Sequence, residues 1–208
     1  MTAARFITLE GGEGVGKSTQ LRRLVERLRE RGLEVVETRE PGGSPGAEAI
    51  RRLLLEGADE RWTPEAEALL FAAARADHVA RTIRPALARG AWVLCDRFLD
   101  SSLAYQGGAG GLGVEAIRSL HAVGSRGFLP HRTLLLELGA ADAARRLSVR
   151  DAGGSDRIGG RGDDYHADVA AAFSALAEAE PDRFRRIDAQ GDVDQVTERL
   201  LGAIKDLL

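Results

Sequence analysis

The residues with the clearest chemistry are a run of glycines followed by Lys17 and Ser18. Residues 11–18 match the pattern G-x-x-x-x-G-K-[ST]. Glycines allow backbone N–H groups to face phosphate oxygens, and the N-terminus of a following helix adds partial positive charge. Lys17 is expected to reach the β- and γ-phosphates, and the Ser18 hydroxyl to ligate Mg²⁺. The pattern predicts a nucleoside triphosphate site formed by Gly11, Gly12, Glu13, Gly14, Val15, Gly16, Lys17, Ser18 and Thr19.

The basic residues of the chain support this prediction. Of 29 basic residues, only Lys17 and Lys205 are lysine. A chain that uses arginine almost everywhere keeps lysine where a compact ammonium is needed. ATPases, GTPases and kinases share this phosphate loop, so the motif does not choose between them.

Two further segments place charge near the same loop. Asp96-Arg97 follows the apolar run 91–95, and Arg39 ends another short apolar run. Asp96 is expected to hold Mg²⁺ or its water shell, and Arg97 to bridge donor and acceptor phosphates. Two arginines and one lysine in one cleft suit two polyphosphate chains better than one.

The elements that must position these residues alternate along the chain. Helical periodicity begins at Ser18, at Ala47, at Pro64 and at Val193. Such alternation predicts an α/β fold with a five-stranded parallel sheet covered by helices on both faces, which binds ligands beyond the carboxyl ends of its strands. The predicted strands are Phe6–Leu9, Glu34–Thr38, Ala91–Cys95, a strand containing Leu134–Leu136, and Phe184–Ile187.

Composition limits the class of protein. The chain has 208 residues, a net charge of −3 and one cysteine, Cys95. We expect one domain over residues 1–208, no general attraction to nucleic acid polymers or membranes, and no disulfide within the chain. The first residues lack a signal-peptide pattern and no apolar run approaches a membrane span, so we expect a cytoplasmic protein.

The middle of the chain offers residues for a second ligand. Phe71 and Arg75 are spaced i, i+4 and share a helical face, where a ring and a guanidinium could stack on and hydrogen-bond a base. The segment from Arg150 to Asp164 is rich in Gly, Asp and Arg and is predicted to be a loop. Taken alone, neither segment identifies the ligand.

Taken together, these motifs resemble the thymidylate kinase family, which has a P-loop kinase fold. The resemblance covers nearly the whole chain and keeps the family's order. The Arg-Glu-Pro-Gly-Gly and Ser-Ser-Leu-Ala-Tyr-Gln-Gly runs are its most specific parts. The matching segments are residues 11–19, 38–43, 71–75, 96–98, 100–107, 156–158 and 187–189.

The resemblance implies a role for each matching residue of the base pocket. Phe71 would stack on thymine and Arg75 would hydrogen-bond its exocyclic oxygen. Ser102 and Gln106 would complete the base contacts. Tyr105 would pack where a ribose 2′-OH would otherwise lie, which favours deoxyribose.

It also implies roles around the phosphates. Glu13 would approach the sugar 3′-OH or the metal shell. Arg39 and Arg97 would hold the acceptor phosphate, and Arg97 would also reach the transferring group.

The lid of the family closes over the reacting phosphates, and here it is expected at about residues 149–164. In one form of the family the phosphate loop carries a catalytic arginine, at the position of Gly14 in this chain. The chain therefore resembles the other form, in which the lid supplies the arginine. Arg150, Arg157 and Arg161 are available, and Arg150 and Arg157 are our predicted catalytic lid residues beside Lys17 and Arg97.

The predicted activity is transfer of the γ-phosphoryl group of ATP to dTMP, with Mg²⁺, which gives dTDP and ADP for dTTP synthesis. Two alternatives stay open: a kinase for dUMP, UMP or AMP, and a nucleotide-dependent switch without kinase activity. The family is commonly homodimeric, and the alanine-rich helix over 66–80 could form such an interface.

Overall fold

The computed structural model describes residues 3–57, 61–139, 141–143, 145–146 and 157–208. These residues form the predicted parallel α/β fold around a five-stranded sheet in the order β2-β3-β1-β4-β5. Every neighbouring pair of strands is parallel. The strands are β1 Phe6–Glu10, β2 Val35–Arg39, β3 Trp92–Asp96, β4 Arg132–Glu137 and β5 Phe184–Asp188.

Four of the strands continue one residue beyond their predicted carboxyl ends, and β4 contains the predicted Leu134–Leu136. The predictions stopped at the last apolar or β-branched residue, but the ladder continues: Asp96 is level with both Leu9 and Arg39. A parallel ladder is held by backbone groups, so a polar side chain can occupy its last position. The terminal residues are Glu10, Arg39, Asp96, Glu137 and Asp188.

Helices connect the strands. They are α1 Lys17–Glu30, α2 Pro45–Leu55, α3 Pro64–His78, α4 Arg84–Ala88, α5 Leu99–Ser102, α6 Val114–Ser125, α7 Asp163–Ala179 and α8 Val193–Ala203. A π-helical segment, Leu103–Ala109, follows α5. The sequence patterns predict no element over 99–125, where clustered glycines obscure the periodicity.

The helix predicted to begin at Pro64 is interrupted. A π-helical turn, Val79–Ile83, separates α3 from α4, and the Arg84 N–H donates to the Val79 carbonyl five residues earlier. Pro85 has no N–H to donate. The helical hydrogen bonds therefore change spacing immediately before it.

The sheet divides the apolar core into two clusters, because successive side chains of a strand point to opposite faces. Phe6, Val93 and Leu135 belong to one cluster, together with Tyr105 and Phe173. Ile7, Leu94 and Leu134 belong to the other, which includes residues of α1 and α8 such as Leu24 and Leu200. Cys95 is fully buried, and burial raises the pKa of its thiol. Within the described ranges, no helix has the length and apolar character needed to cross a membrane.

Candidate active site

The phosphate loop joins β1 to α1 and depends on glycine backbone conformations. Gly11 has φ 136°, and a Cβ there would lie 2.4 Å from the Leu136 carbonyl oxygen. Gly16, at φ 97°, precedes α1, and among the described residues no side chain caps the helix there. The N–H groups of the first turn of α1 are therefore available to an anion.

Lys17 lies inside this loop. Its Nζ donates to the carbonyl oxygens of Gly11, at 3.2 Å, and Gly12, at 2.6 Å. Its side chain is buried, and burial, with the nearby Arg97 charge, lowers its pKa to about 8. Lys17 is thus a cation held at the loop by weak neutral acceptors, which a phosphate would replace.

Ser18 and Asp96 meet beside the loop. Ser18 Oγ donates to Asp96 Oδ2 at 2.6 Å. Mg²⁺ is usually held by one or two protein oxygens together with phosphates and water, and these two groups fit that pattern. No cluster of three His, Cys, Asp or Glu side chains suitable for a metal occurs in the described part of the chain. A metal held with the nucleotide fits these residues better than one in an all-protein cage.

Arg97 lines the cleft, and its backbone has a left-handed conformation with φ 67°. Its Nη1 donates to the Gly11 carbonyl and to Ser101 Oγ, each at 3.0 Å. Its Nη2 donates to Glu13 Oε1 at 2.6 Å and to the Tyr105 hydroxyl at 3.2 Å. One guanidinium therefore contacts the phosphate loop and the segment after α5 at the same time.

A buried acidic residue, Glu10, holds the backbone that follows Arg97. It accepts from the Phe98 N–H at 2.7 Å and from Ser101 Oγ at 2.6 Å. Burial, followed by the charge of Asp100, raises the pKa of Glu10 to about 7. Glu10 thus fixes the backbone just after Arg97.

The predicted base residues line the other half of the cleft. Arg75 is buried, and its Nε donates to Glu40 Oε2 at 2.8 Å, while Nη2 donates to Ser102 Oγ at 2.7 Å. Glu40 also contacts His78 Nδ1 at 2.9 Å. Phe71, half-buried, lies on the same wall. Arg75 is thereby held at the wall of the cleft by a carboxylate and a hydroxyl.

Tyr105 and Gln106 come from the π-helical segment after α5. The Tyr105 hydroxyl donates to Glu13 Oε1 at 3.3 Å, and Gln106 Nε2 donates to Glu67 Oε1 at 2.9 Å. Arg39 also lines the cleft, where its Nη2 pairs with both carboxylate oxygens of Glu48 at 3.0 and 3.1 Å. The cleft has a volume of about 620 Å³.

The predicted lid residues are placed differently. Arg150 lies outside the described residues. Arg157 is buried, pairs with Glu67 and donates from Nε to the Leu54 carbonyl at 2.8 Å. Its neighbour Ile158 lines the cleft, whereas Arg157 does not. The structure therefore does not bring Arg157 to the phosphate loop, and its catalytic role stays a prediction.

Arg146 and Glu67 are among the residues in and around the site that the sequence-based predictions do not include. Arg146 lies beside the loop and donates to the carbonyls of Val15 at 3.5 Å and Ala189 at 3.1 Å. No motif marks it. Glu67 is buried four residues before Phe71, and the signal that could have revealed it is a charge on the apolar face of α3.

Together, the sheet order, the phosphate loop and the two-sided cleft define a P-loop kinase. The thymidylate kinase family model matches residues 9–200. The chain is 66% identical to the thymidylate kinase of Rhizorhabdus wittichii over 204 residues, 98% of each chain. It is 50% identical to that of Caulobacter vibrioides over 210 residues, 100% of this chain and 97% of the relative.

A solved structure agrees with these sequence matches. The crystal structure of thymidylate kinase from Ehrlichia chaffeensis superposes with a TM-score of 0.77 at 28% identity, covering 98% of this chain and 99% of that one. The chain belongs to the thymidylate kinase family.

Proposed function

We propose residue roles for the reaction of this family, in which the γ-phosphoryl group of ATP passes to dTMP and gives dTDP and ADP. The chain carries out this ATP-dependent reaction as a member of the family along nearly its whole length. The observation that carries the residue roles is Arg97, whose guanidinium contacts both the phosphate loop and Tyr105.

ATP binds on the phosphate-loop side. The backbone N–H groups of residues 11–19 hold the phosphates at the N-terminus of α1. Lys17 leaves the carbonyls of Gly11 and Gly12 for phosphate oxygens, which stabilises its charged form. Arg146 lies at the same side, next to Val15 and Ala189.

Ser18 and Asp96 hold Mg²⁺ in this proposal. When bound with the nucleotide, the ion would offset the negative charge of the phosphates. The support is the 2.6 Å contact between Ser18 Oγ and Asp96 Oδ2, which brings two oxygen ligands together beside Lys17.

dTMP binds on the other side of Arg97. Arg39 and Arg97 hold its phosphate, and both line the cleft. Phe71 stacks on the base, and Arg75, Ser102 and Gln106 surround its polar edge. Tyr105, fixed between Arg97 and Glu13, takes the space of a 2′-OH, and Glu13 lies near the sugar.

Catalysis requires positioning and charge stabilisation more than proton transfer. The acceptor phosphate is already a nucleophile, and the charge that spreads over the transferring oxygens is stabilised by cations. Lys17 and Arg97 supply two of these. Arg150 and Arg157 stay our predicted lid arginines, and Arg157 would have to leave Glu67 to reach the phosphates.

The proposed base contacts do not exclude a related acceptor nucleotide. One methyl group in a pocket changes binding by about 1–3 kcal/mol, so dUMP is expected to be a poor substrate. ADP release with ATP, Mg²⁺ and dTMP, dUMP, UMP, dCMP, AMP or GMP tests the proposal. Turnover with dTMP far above the others supports it, and a preference for another monophosphate would refute the base contacts. Nucleotide-dependent partner binding without turnover would favour a switch.

We also propose that residues 1–208 act as one domain in a homodimer. In support, α3 and α6 pack together where Gly124 approaches Ala72, and each exposes an apolar side chain: Leu69 is 56% exposed and Val123 is 86% exposed. Val123→Glu should then convert a dimer to a monomer in sedimentation experiments. A monomeric wild-type protein would refute the proposal. The cytoplasmic location stays a prediction.

A further inference from the structure

Glu67 is a buried acidic residue on α3, in line with two residues of the cleft wall. Glu67, Phe71 and Arg75 are spaced four apart on α3, so their side chains follow one another along one side of the helix. The Glu67 side chain is only 4% exposed. A carboxylate in such a place is tolerated only with strong hydrogen-bond partners.

Its partners come from two parts of the chain. Gln106 Nε2 donates to Oε1 at 2.9 Å. Arg161 Nη2 donates to Oε2 at 2.7 Å, and Arg157 Nη2 donates to the same oxygen. Glu67 therefore connects the base side of the cleft with residues 157–161, which precede α7.

The bond to Gln106 determines which end of that amide faces the ligand. An ionised carboxylate only accepts hydrogen bonds, so the Gln106 –NH₂ group must point to Glu67. The carbonyl Oε1 is then the end left for the cleft, which Gln106 lines. A carbonyl accepts the N3–H of thymine or uracil but meets the N3 lone pair of cytosine. The orientation of one amide thus separates two classes of pyrimidine.

We propose that Glu67 is a positioning residue that sets the base preference of the acceptor site by fixing the Gln106 amide. The inference rests on the proposed function, because it requires the base to lie at Gln106. Arg161 and, in this conformation, Arg157 hold the Glu67 side chain in place by hydrogen bonds. Glu67 acts through Gln106 and does not itself contact the substrate.

The test compares the kcat/KM values for dTMP and dCMP in Glu67→Gln. A glutamine at this position both donates and accepts hydrogen bonds, so the Gln106 amide can also adopt the opposite orientation. The ratio of the two kcat/KM values should fall about tenfold, the value of one ordinary hydrogen bond. Misfolding lowers the active fraction equally for both substrates and cancels in the ratio. Glu65→Gln, an exposed neighbour on α3, is the matched control and should keep the wild-type ratio.

The outcomes separate the inference from the function on which it rests. A wild-type protein that does not turn over dTMP refutes the proposed function. Normal wild-type turnover with an unchanged ratio in Glu67→Gln refutes only the role of Glu67.

A second measurement needs no variant. When dTMP labelled with ¹⁵N at N3 is bound to the wild-type protein, its imino proton should exchange with water at least tenfold more slowly than in free dTMP. Exchange as fast as in free dTMP overturns the proposal.

Discussion

Ser18 Oγ and Asp96 Oδ2, 78 positions apart in sequence, lie 2.6 Å from each other. The first residue belongs to the opening turn of α1 and the second ends β3. They meet because β1 and β3 are parallel neighbours, so the loop after β1 and the end of β3 share one edge of the sheet. This edge is where open α/β sheets bind their ligands.

Asp96→Asn should weaken metal activation. It exchanges a charged oxygen ligand for a neutral amide with little change in shape. We expect kcat to fall about 100-fold, the usual order for one transition-state contact, and the Mg²⁺ concentration for half-maximal rate to rise. A Mg²⁺ titration of the rate measures both. Glu37→Gln removes the same charge from an exposed side chain of β2 and is the matched control. An unaltered Mg²⁺ requirement in Asp96→Asn would remove Asp96 from the metal site.

Lys17→Ala should abolish most of the rate while the protein stays folded. The ammonium donates to two loop carbonyls, and in the proposed reaction it stabilises charge in the transition state. We therefore expect kcat to fall by about 10²–10³-fold. Circular dichroism and thermal unfolding report on the fold. Near-normal turnover would contradict the assignment of the phosphate loop.

ATP binding should take up protons in alkaline solution. With its pKa lowered to about 8, mainly by burial, Lys17 is more than half neutral above pH 8 in the free protein. Phosphates favour the charged form, so binding at pH 8.5 draws a proton from the buffer and ATP affinity falls as pH rises through 8. Calorimetry in buffers of different ionisation enthalpy counts the proton. Lys17→Ala should show no such uptake; an equal uptake in that variant would mean that another group titrates.

Arg75→Ala should affect both the acceptor and the fold. Arg75 is buried against Glu40, so its removal leaves a buried carboxylate with fewer partners and costs about 3–5 kcal/mol of stability. The KM for dTMP should also rise, while the KM for ATP changes little. Arg75→Lys separates the two effects, because it keeps the charge but loses the forked contacts. An effect confined to ATP affinity would refute a role at the base.

Glu10 should make the protein less stable as pH rises from about 4.5 to 7. Burial raises its pKa in the folded state above the ordinary value of 4.5, so the folded state binds the proton more tightly than the unfolded state. The stabilisation is complete below pH 4.5 and is lost as pH rises through 7, by about 3 kcal/mol in total. Urea unfolding of wild type and Glu10→Gln across this range measures it. The free energy of unfolding should change less with pH in the variant than in the wild type. Equal slopes would show that Glu10 is not the group responsible.

Local patterns were sufficient to predict much of the site. The phosphate loop is contiguous, and Arg39, Asp96 and Arg97 lie at the ends of predicted strands. The structure brings all three to one cleft, and their roles there stay predictions. Phe71 and Arg75 share a helical face by spacing alone. These predictions need only the periodicity of apolar residues and the position of a residue along a single helix or strand.

The remaining parts depend on contacts between distant segments. Nothing near Arg157 in sequence indicates that its partner is Glu67, 90 positions away. Arg146 reaches Val15 and Ala189 through the way three segments pack, and the π-helical turn at Val79–Ile83 depends on how the helix bends before Pro85. Such pairings follow from tertiary packing, which a one-dimensional pattern does not contain.

The two apolar clusters lie on opposite faces of the sheet and pack behind different parts of the proposed substrate cleft. The cluster with Leu24 and Leu200 supports the phosphate loop and α1, whereas the cluster with Tyr105 and Phe173 supports the acceptor wall. A cavity made by Leu24→Ala should therefore appear first as heat-sensitive affinity for ATP, and one made by Phe173→Leu as heat-sensitive affinity for dTMP. An excess of ATP should then protect the first variant against heat, and an excess of dTMP the second, because a ligand stabilises the folded state that binds it.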